Sequence, residues 1–133
     1  MIPVLLVFSD QALLVLRVAV GLIFVAHGWP KLKNLKGTQE WFGSVGFYPG
    51  WLWGTLVSLL EGIGGPLLII GFGTQPLGLL LAIQMLVAAV WQKKQGKNFS
   101  GGYELDLLLA AACLALATAG GGAISLEGYL RLF

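Results

Sequence analysis

Arg17, His27, Glu61, Gln84 and Glu104 are the polar residues whose types and placement offer chemistry in this chain. Each sits in, or at the end of, a long apolar segment. A charge at membrane depth costs several kcal/mol unless it is paired, solvated or neutralised, so each is a functional-site hypothesis by default. Carboxylates and an imidazole can exchange protons, while a guanidinium and an amide can hold a polar ligand by hydrogen bonds. Arg17 and Glu61 enter the membrane from opposite sides and both reach its middle region, so an Arg17–Glu61 ion pair between the first two segments is expected. That pair could set bundle register, contact a ligand or pass protons. Glu104 is assigned to the inward face and Asp106, two residues on, to another direction. His27 is the side chain whose unperturbed pKa lies near neutrality, and it too could be an ordinary helix-end contact. Gln84 reads as an interhelical hydrogen-bonding group or a ligand contact.

The elements that must position these residues are membrane helices. Of the 133 residues 57% are hydrophobic and only 11% charged, against about 25% charged in soluble domains. Mean hydropathy is +0.85. The length allows one membrane domain, residues 1–133, with four spans of roughly 20 residues. They are expected at about 12–29, 51–72, 74–92 and 104–124. The apolar core of the third, about Leu77 to Trp91, is short for the slab and must borrow Thr74–Pro76 and Gln92. The opening MIPVLLVFSDQ lacks a basic region before its apolar run, so the first span is expected to stay in the mature protein.

Helical spacing places Arg17, Gly21, Phe24, Gly28 and Lys31 on one face of the first span. Gly54, Ser58, Glu61 and Gly65 share a face of the second, and Glu104, Leu108, Ala111, Ala115 and Thr118 one of the fourth. Gly21, Gly28, Gly64 and Gly65 are read as helix-packing positions, because small residues let membrane helices approach closely. The stretch TQEWFGSVGF between the first two spans reads as a short interfacial helix, capped by Thr38 and able to act as a lid or a passive anchor. A short amphipathic tail capped by Ser125 is expected after the glycine run at 120–122.

Lys31, Lys33 and Lys36 follow the first span and Lys93, Lys94 and Lys97 the third, with Arg131 the basic residue at the opposite end. The positive-inside rule then puts loops 30–50 and 93–103 in the cytoplasm and both termini across the plasma membrane. Trp29, Trp41, Trp51, Trp53 and Trp91 gather near the same end. Cys113 is the single cysteine and reads as a packing residue. With one histidine and a few carboxylates, no metal or haem site is expected within one chain. No nucleotide fingerprint or nucleic-acid-binding pattern is present.

The successive motifs LRVAVGLIFVAHGWPKL, LLEGIGGPLLIIGF and GGYELDLLLAAACLALATAGGGAISLE resemble the DoxX family of small four-helix membrane proteins. The resemblance runs from about Leu14 to Glu127. It is carried by Arg17 and Gly21, the HGxxK of His27, Gly28 and Lys31, the ExxGG of Glu61, Gly64 and Gly65, and Glu104 after two glycines. Family members often carry an aspartate after the final serine, where this chain has Leu126 and Glu127. The resemblance implies an all-α bundle and a redox-associated, quinone-linked subunit, with electrons supplied by a partner protein or bound cofactor. A ligand-binding redox subunit is therefore the leading expectation. A small oligomeric proton-coupled transporter and a structural or chaperone-like scaffold are the alternatives. The bilayer and a homo-oligomer or redox partner are the expected partners.

Overall fold

The computed structural model describes residues 3–131, and among them every regular element is helical. A 3-10 turn, Pro3–Phe8, leads into α1 (Ser9–Lys33), followed by α2 (Leu35–Ser44), α3 (Gly50–Gly62), α4 (Gly64–Ile70), α5 (Thr74–Lys94), α6 (Glu104–Ala119) and α7 (Leu126–Tyr129). Four helical stretches are long and apolar enough to cross a membrane: Val4–Lys33, Gly50–Ile70, Thr74–Lys94 and Phe99–Ala119. The four-span all-α architecture is the expected one. Its boundaries differ in instructive ways.

The first span runs past both expected ends. The second is broken at Ile63, between α3 and α4. Pro66 has no N–H to donate to the Gly62 carbonyl four residues earlier, and glycines flank the break. The third borrows the polar residues expected of it and reaches 21 residues, about 31 Å at helical rise. The fourth helix stops at Ala119 rather than near Ile124. Gly120 (φ 78°) and Gly122 (φ 82°) turn the chain away, a conformation that glycine adopts at little cost.

The spans pack as two close pairs, α1 on α3–α4 and α5 on α6. Glycines set both distances. A Cβ on Gly21 would lie 2.7 Å from the Gly65 carbonyl oxygen, and one on Gly65 would lie 2.9 Å from that of Gly21. Gly28 abuts the backbone of Glu61 and Gly62 in the same way. On the other pair, a Cβ on Gly78 would meet the Cys113 carbonyl at 2.7 Å and the Ala117 nitrogen at 2.9 Å. Gly64 is different: it faces α5, with Leu77 Cδ2 at 3.4 Å from its notional Cβ.

Val20, Phe24, Leu68, Leu81, Met85, Leu109, Cys113 and Leu116 form the shared core. The faces expected for the first two spans are the buried ones. The face expected for the fourth is inverted. Glu104, Leu108, Ala111, Ala115 and Thr118 are exposed, whereas Leu109, Ala110, Cys113 and Leu116 are buried. Small residues lie on both sides of α6, so their spacing marks no unique packing face.

Asn34, not Thr38, caps α2: its Oδ1 accepts from the Gly37 N–H at 3.3 Å. Thr38 lies within the helix and donates to the Asn34 carbonyl at 3.0 Å. The helix packs along α3, with Gly54 against the Gln39 backbone and Gln39 Nε2 donating to Thr55 Oγ1 at 2.8 Å. This short helix between the first two spans is the expected one, and it is held against the bundle by α3. Ser125 does cap α7, accepting from Gly128 N–H at 3.0 Å, but Glu127 within that helix is buried. The tail is folded into the end of the bundle.

These contacts predict that Gly65→Ala destabilises the protein by about 1–3 kcal/mol through overpacking. Gly64→Ala, which meets only a mobile leucine methyl and gains helix propensity, should change stability by less than about 1 kcal/mol. Thermal unfolding of both variants in detergent checks the difference.

Candidate functional site

The polar residues of the spans separate into two groups at opposite ends of the bundle. At the end bearing the lysine loops, Glu61 is 5% exposed. Lys31 Nζ donates to both its carboxylate oxygens, at 2.9 and 2.7 Å, and Gln84 Nε2 donates to Oε1 at 2.8 Å. Lys31 reaches Glu61 because Gly28, one turn earlier on the same face, brings α1 against the backbone of α3. The lysine side chain is 32% exposed, so its stem crosses apolar surface while its charge is committed inward.

Asp106 stands on the same wall and accepts from Gln92 Nε2. Gln84 and Gln92 are eight residues apart on one face of α5, about 12 Å along the axis, and each amide meets one carboxylate. The two glutamines mark a polar face of α5, but which acid of α6 meets it is set by the packing of the two helices. Glu104, expected inward, is exposed and accepts from the Gly101 N–H at 3.0 Å, a local contact just ahead of α6. It lines no part of the cavity. Its place is taken by Asp106, because α6 presents the opposite face to α5.

These groups border a cavity of about 920 Å³ between the two helix pairs. Phe24, Trp41, Phe42, Trp53 and Trp91 supply much of its wall, and His27 stands at its edge, exposed. Trp41 meets Trp91 edge-on, with ring centroids 5.6 Å apart, so the loop helix α2 and the end of α5 together close one side. Apolar walls with a few convergent polar groups are the usual makeup of a small-molecule site.

Arg17 belongs to the other end, and the expected Arg17–Glu61 pair is absent from the ion pairs among the described residues. The guanidinium donates to the Gly121 carbonyl, to Ile124 O at 2.8 Å and to Ile69 O at 3.4 Å. Those carbonyls are within reach because α4 ends at Gly71 and α6 at Gly120, which frees helix-end and loop backbone to face inward. Glu127 supplies the counter-charge through space. Its carboxylate accepts from Gly121 N–H at 2.8 Å and Thr74 N–H at 3.0 Å. Gly121 therefore bridges cation and anion, its N–H bonded to one and its carbonyl to the other. A register lock or proton path built on an Arg17–Glu61 pair has no basis in this arrangement.

The sequence profile of the DoxX family matches residues 12–94, the stretch that holds Arg17, His27, Lys31, Glu61 and Gln84. The chain belongs to the DoxX family. It is 34% identical over 117 residues to the Bacillus subtilis protein named "Putative oxidoreductase CatD", covering 88% of this chain and 85% of that one. It is 33% identical to the Escherichia coli inner membrane protein YphA (86% of this chain, 87% of that protein). To the inner membrane protein YqjF of the same bacterium it is 32% identical (92% and 95%). No solved structure matches it. This DoxX protein is thus an integral membrane protein in contact with the bilayer, and Asp106 and the Arg17-binding segment lie beyond the stretch that the family profile matches.

Removing one partner of a largely buried pair strands the other charge. Lys31→Met in this DoxX protein should therefore cost about 1–3 kcal/mol, less than for a fully buried pair because the lysine is part-exposed. The double variant Lys31→Met/Glu61→Gln should recover most of that loss. A thermal-unfolding double-mutant cycle in detergent measures the coupling; additive losses would contradict the pairing.

Proposed function

We propose that this DoxX protein is a ligand-binding subunit of a quinone-linked redox system, holding a quinone-type amphipath in the cavity between its helices. The observation that carries this reading is the cavity itself: an aromatic, apolar volume with the Lys31–Glu61–Gln84 cluster set in its wall. A quinone presents a flat apolar ring and two carbonyl oxygens. The aromatic wall suits the ring, and the third N–H of Lys31 suits an oxygen. Glu61, Asp106 and His27 are groups beside it that can exchange protons when the ring changes redox state. Electrons come from a partner protein, and the name of the Bacillus subtilis relative supports the redox setting. The six lysines support an orientation with the cavity end toward the cytoplasm and both termini on the other side.

Trp41, Trp53 and Trp91 line the cavity and make binding visible. Titration with decyl-tailed benzoquinone should quench their fluorescence saturably in the folded wild type. Glu61→Gln, shown folded by size-exclusion chromatography, should bind about tenfold more weakly, because the Lys31 ammonium that donates to the quinone is no longer oriented by a carboxylate, a loss of about one charge-assisted hydrogen bond. Linear, unsaturable quenching in the wild type would contradict the proposal.

A further inference from the structure

The cavity wall has two characters, and they lie on different sides. Toward the lysine end it is polar, with His27, Asn34, Thr38, Gln92 and Asp106. Between the middle turns of α3 and α5 the lining residues that face outward are aliphatic. There Leu56, Leu80, Ile83 and Val87 line the cavity and yet are 42–52% exposed. Side chains that border an interior space and also face outside mark its opening. Leu80, Ile83 and Val87 fall mid-way along the Thr74–Lys94 span, so what lies outside them is the hydrocarbon of the bilayer. The packing explains why a gap persists here. Each helix pair is drawn tight by glycines, whereas α3 and α5 belong to different pairs and touch sparsely.

We propose that the slot between α3 and α5 is a lateral entrance, which admits an alkyl-tailed ligand straight from the bilayer and retains its tail. This rests on the quinone-type reading of the cavity and specifies the ligand as a lipid-soluble, long-tailed one. The head group passes inward to Lys31, Glu61 and Gln84, while the tail stays between Leu56 and the Leu80–Val87 stripe. That stripe spans about 10 Å, room for several methylene groups. A tail in the slot exchanges lipid contacts for leucine and isoleucine contacts of similar worth, because bilayer hydrocarbon is as apolar as those side chains. The slot therefore governs access and orientation more than affinity. A water-soluble ligand has no need of it.

The test uses wild-type protein in phosphatidylcholine nanodiscs and a benzoquinone whose decyl tail ends in a photoreactive diazirine. Adducts mapped by mass spectrometry should fall on Leu56, Leu80, Ile83 or Val87. Excess tailless benzoquinone, competing for the head-group position, should reduce them about tenfold, as expected for a competitor present at roughly ten times its dissociation constant. A phosphatidylcholine carrying the same diazirine should label the bundle broadly and ignore the competitor. Competitor-sensitive adducts at His27, Pro30 or Leu105, on the α1–α6 side, would overturn the entrance while leaving the ring site intact. Adducts insensitive to the competitor, together with absent tryptophan quenching, would overturn both readings.

Discussion

Hydrocarbon offers no hydrogen bonds, so every charge carried into the membrane must find its partners inside the protein. This chain meets that demand twice, by different means. Arg17 is held by backbone through its two terminal nitrogens, its buried Nε being left unpaired: helix α4 stops at Gly71 and helix α6 at Gly120, and the carbonyls around those breaks turn to the guanidinium. Glu61 is satisfied by side chains, with Lys31 and Gln84 converging on it from two other helices. Both solutions require close helices. Gly21 and Gly65 provide the approach on the Arg17 side of the α1–α4 pair, and Gly28 and Gly62 provide it beside Glu61.

The two solutions leave the two ends in different states. Around Arg17 the tail returns over the bundle: Glu127 ties Thr74 to Gly121, and Asp10 accepts from the Ala123 N–H at 3.0 Å. That end is filled. At the lysine end the same charge problem is solved along one wall, and the space between the helix pairs stays open. A buried ion pair is weak evidence for stability, since desolvation offsets much of its attraction. Leucine and methionine could occupy those positions in a bundle that served only to span the membrane. The ion pair, the second carboxylate–amide pair and the aromatic wall all border one cavity, and that shared location argues for binding.

Much of the fold was legible because membrane insertion writes itself into composition. Four apolar stretches, six lysines on alternate loops and the inward faces of the first two spans follow from hydropathy and helical spacing. The ends of helices were less legible, since the break at Ile63 and the stop at Ala119 depend on which carbonyls a proline or glycine releases. The partners of the charges were the hardest to read. Arg17 and Glu61 have opposite signs and adjacent helices, yet Arg17 is held by carbonyls, which leave no mark in a sequence. Glu61 is claimed by Lys31, which shares the inward face of the first span but also belongs to the loop lysines, so its partner is not evident from sequence. The fourth helix misled because small residues cover both its faces, so Glu104 looked inward and Asp106 did not. The Gln92–Asp106 contact depends on which face α6 turns to α5, and that face is not marked in the sequence.

The proposal for the cavity beside Glu61 is that it binds a quinone-type amphipath. It is tested most directly by identifying what the protein carries from the membrane. Wild type and folded Glu61→Gln would be purified in mild detergent and their organic extracts compared by mass spectrometry and ultraviolet absorbance. A quinone is expected in near-stoichiometric amount in the wild type and strongly depleted in the variant. Equal quinone content in the two proteins, or only the traces expected from dissolved membrane lipid, would contradict it.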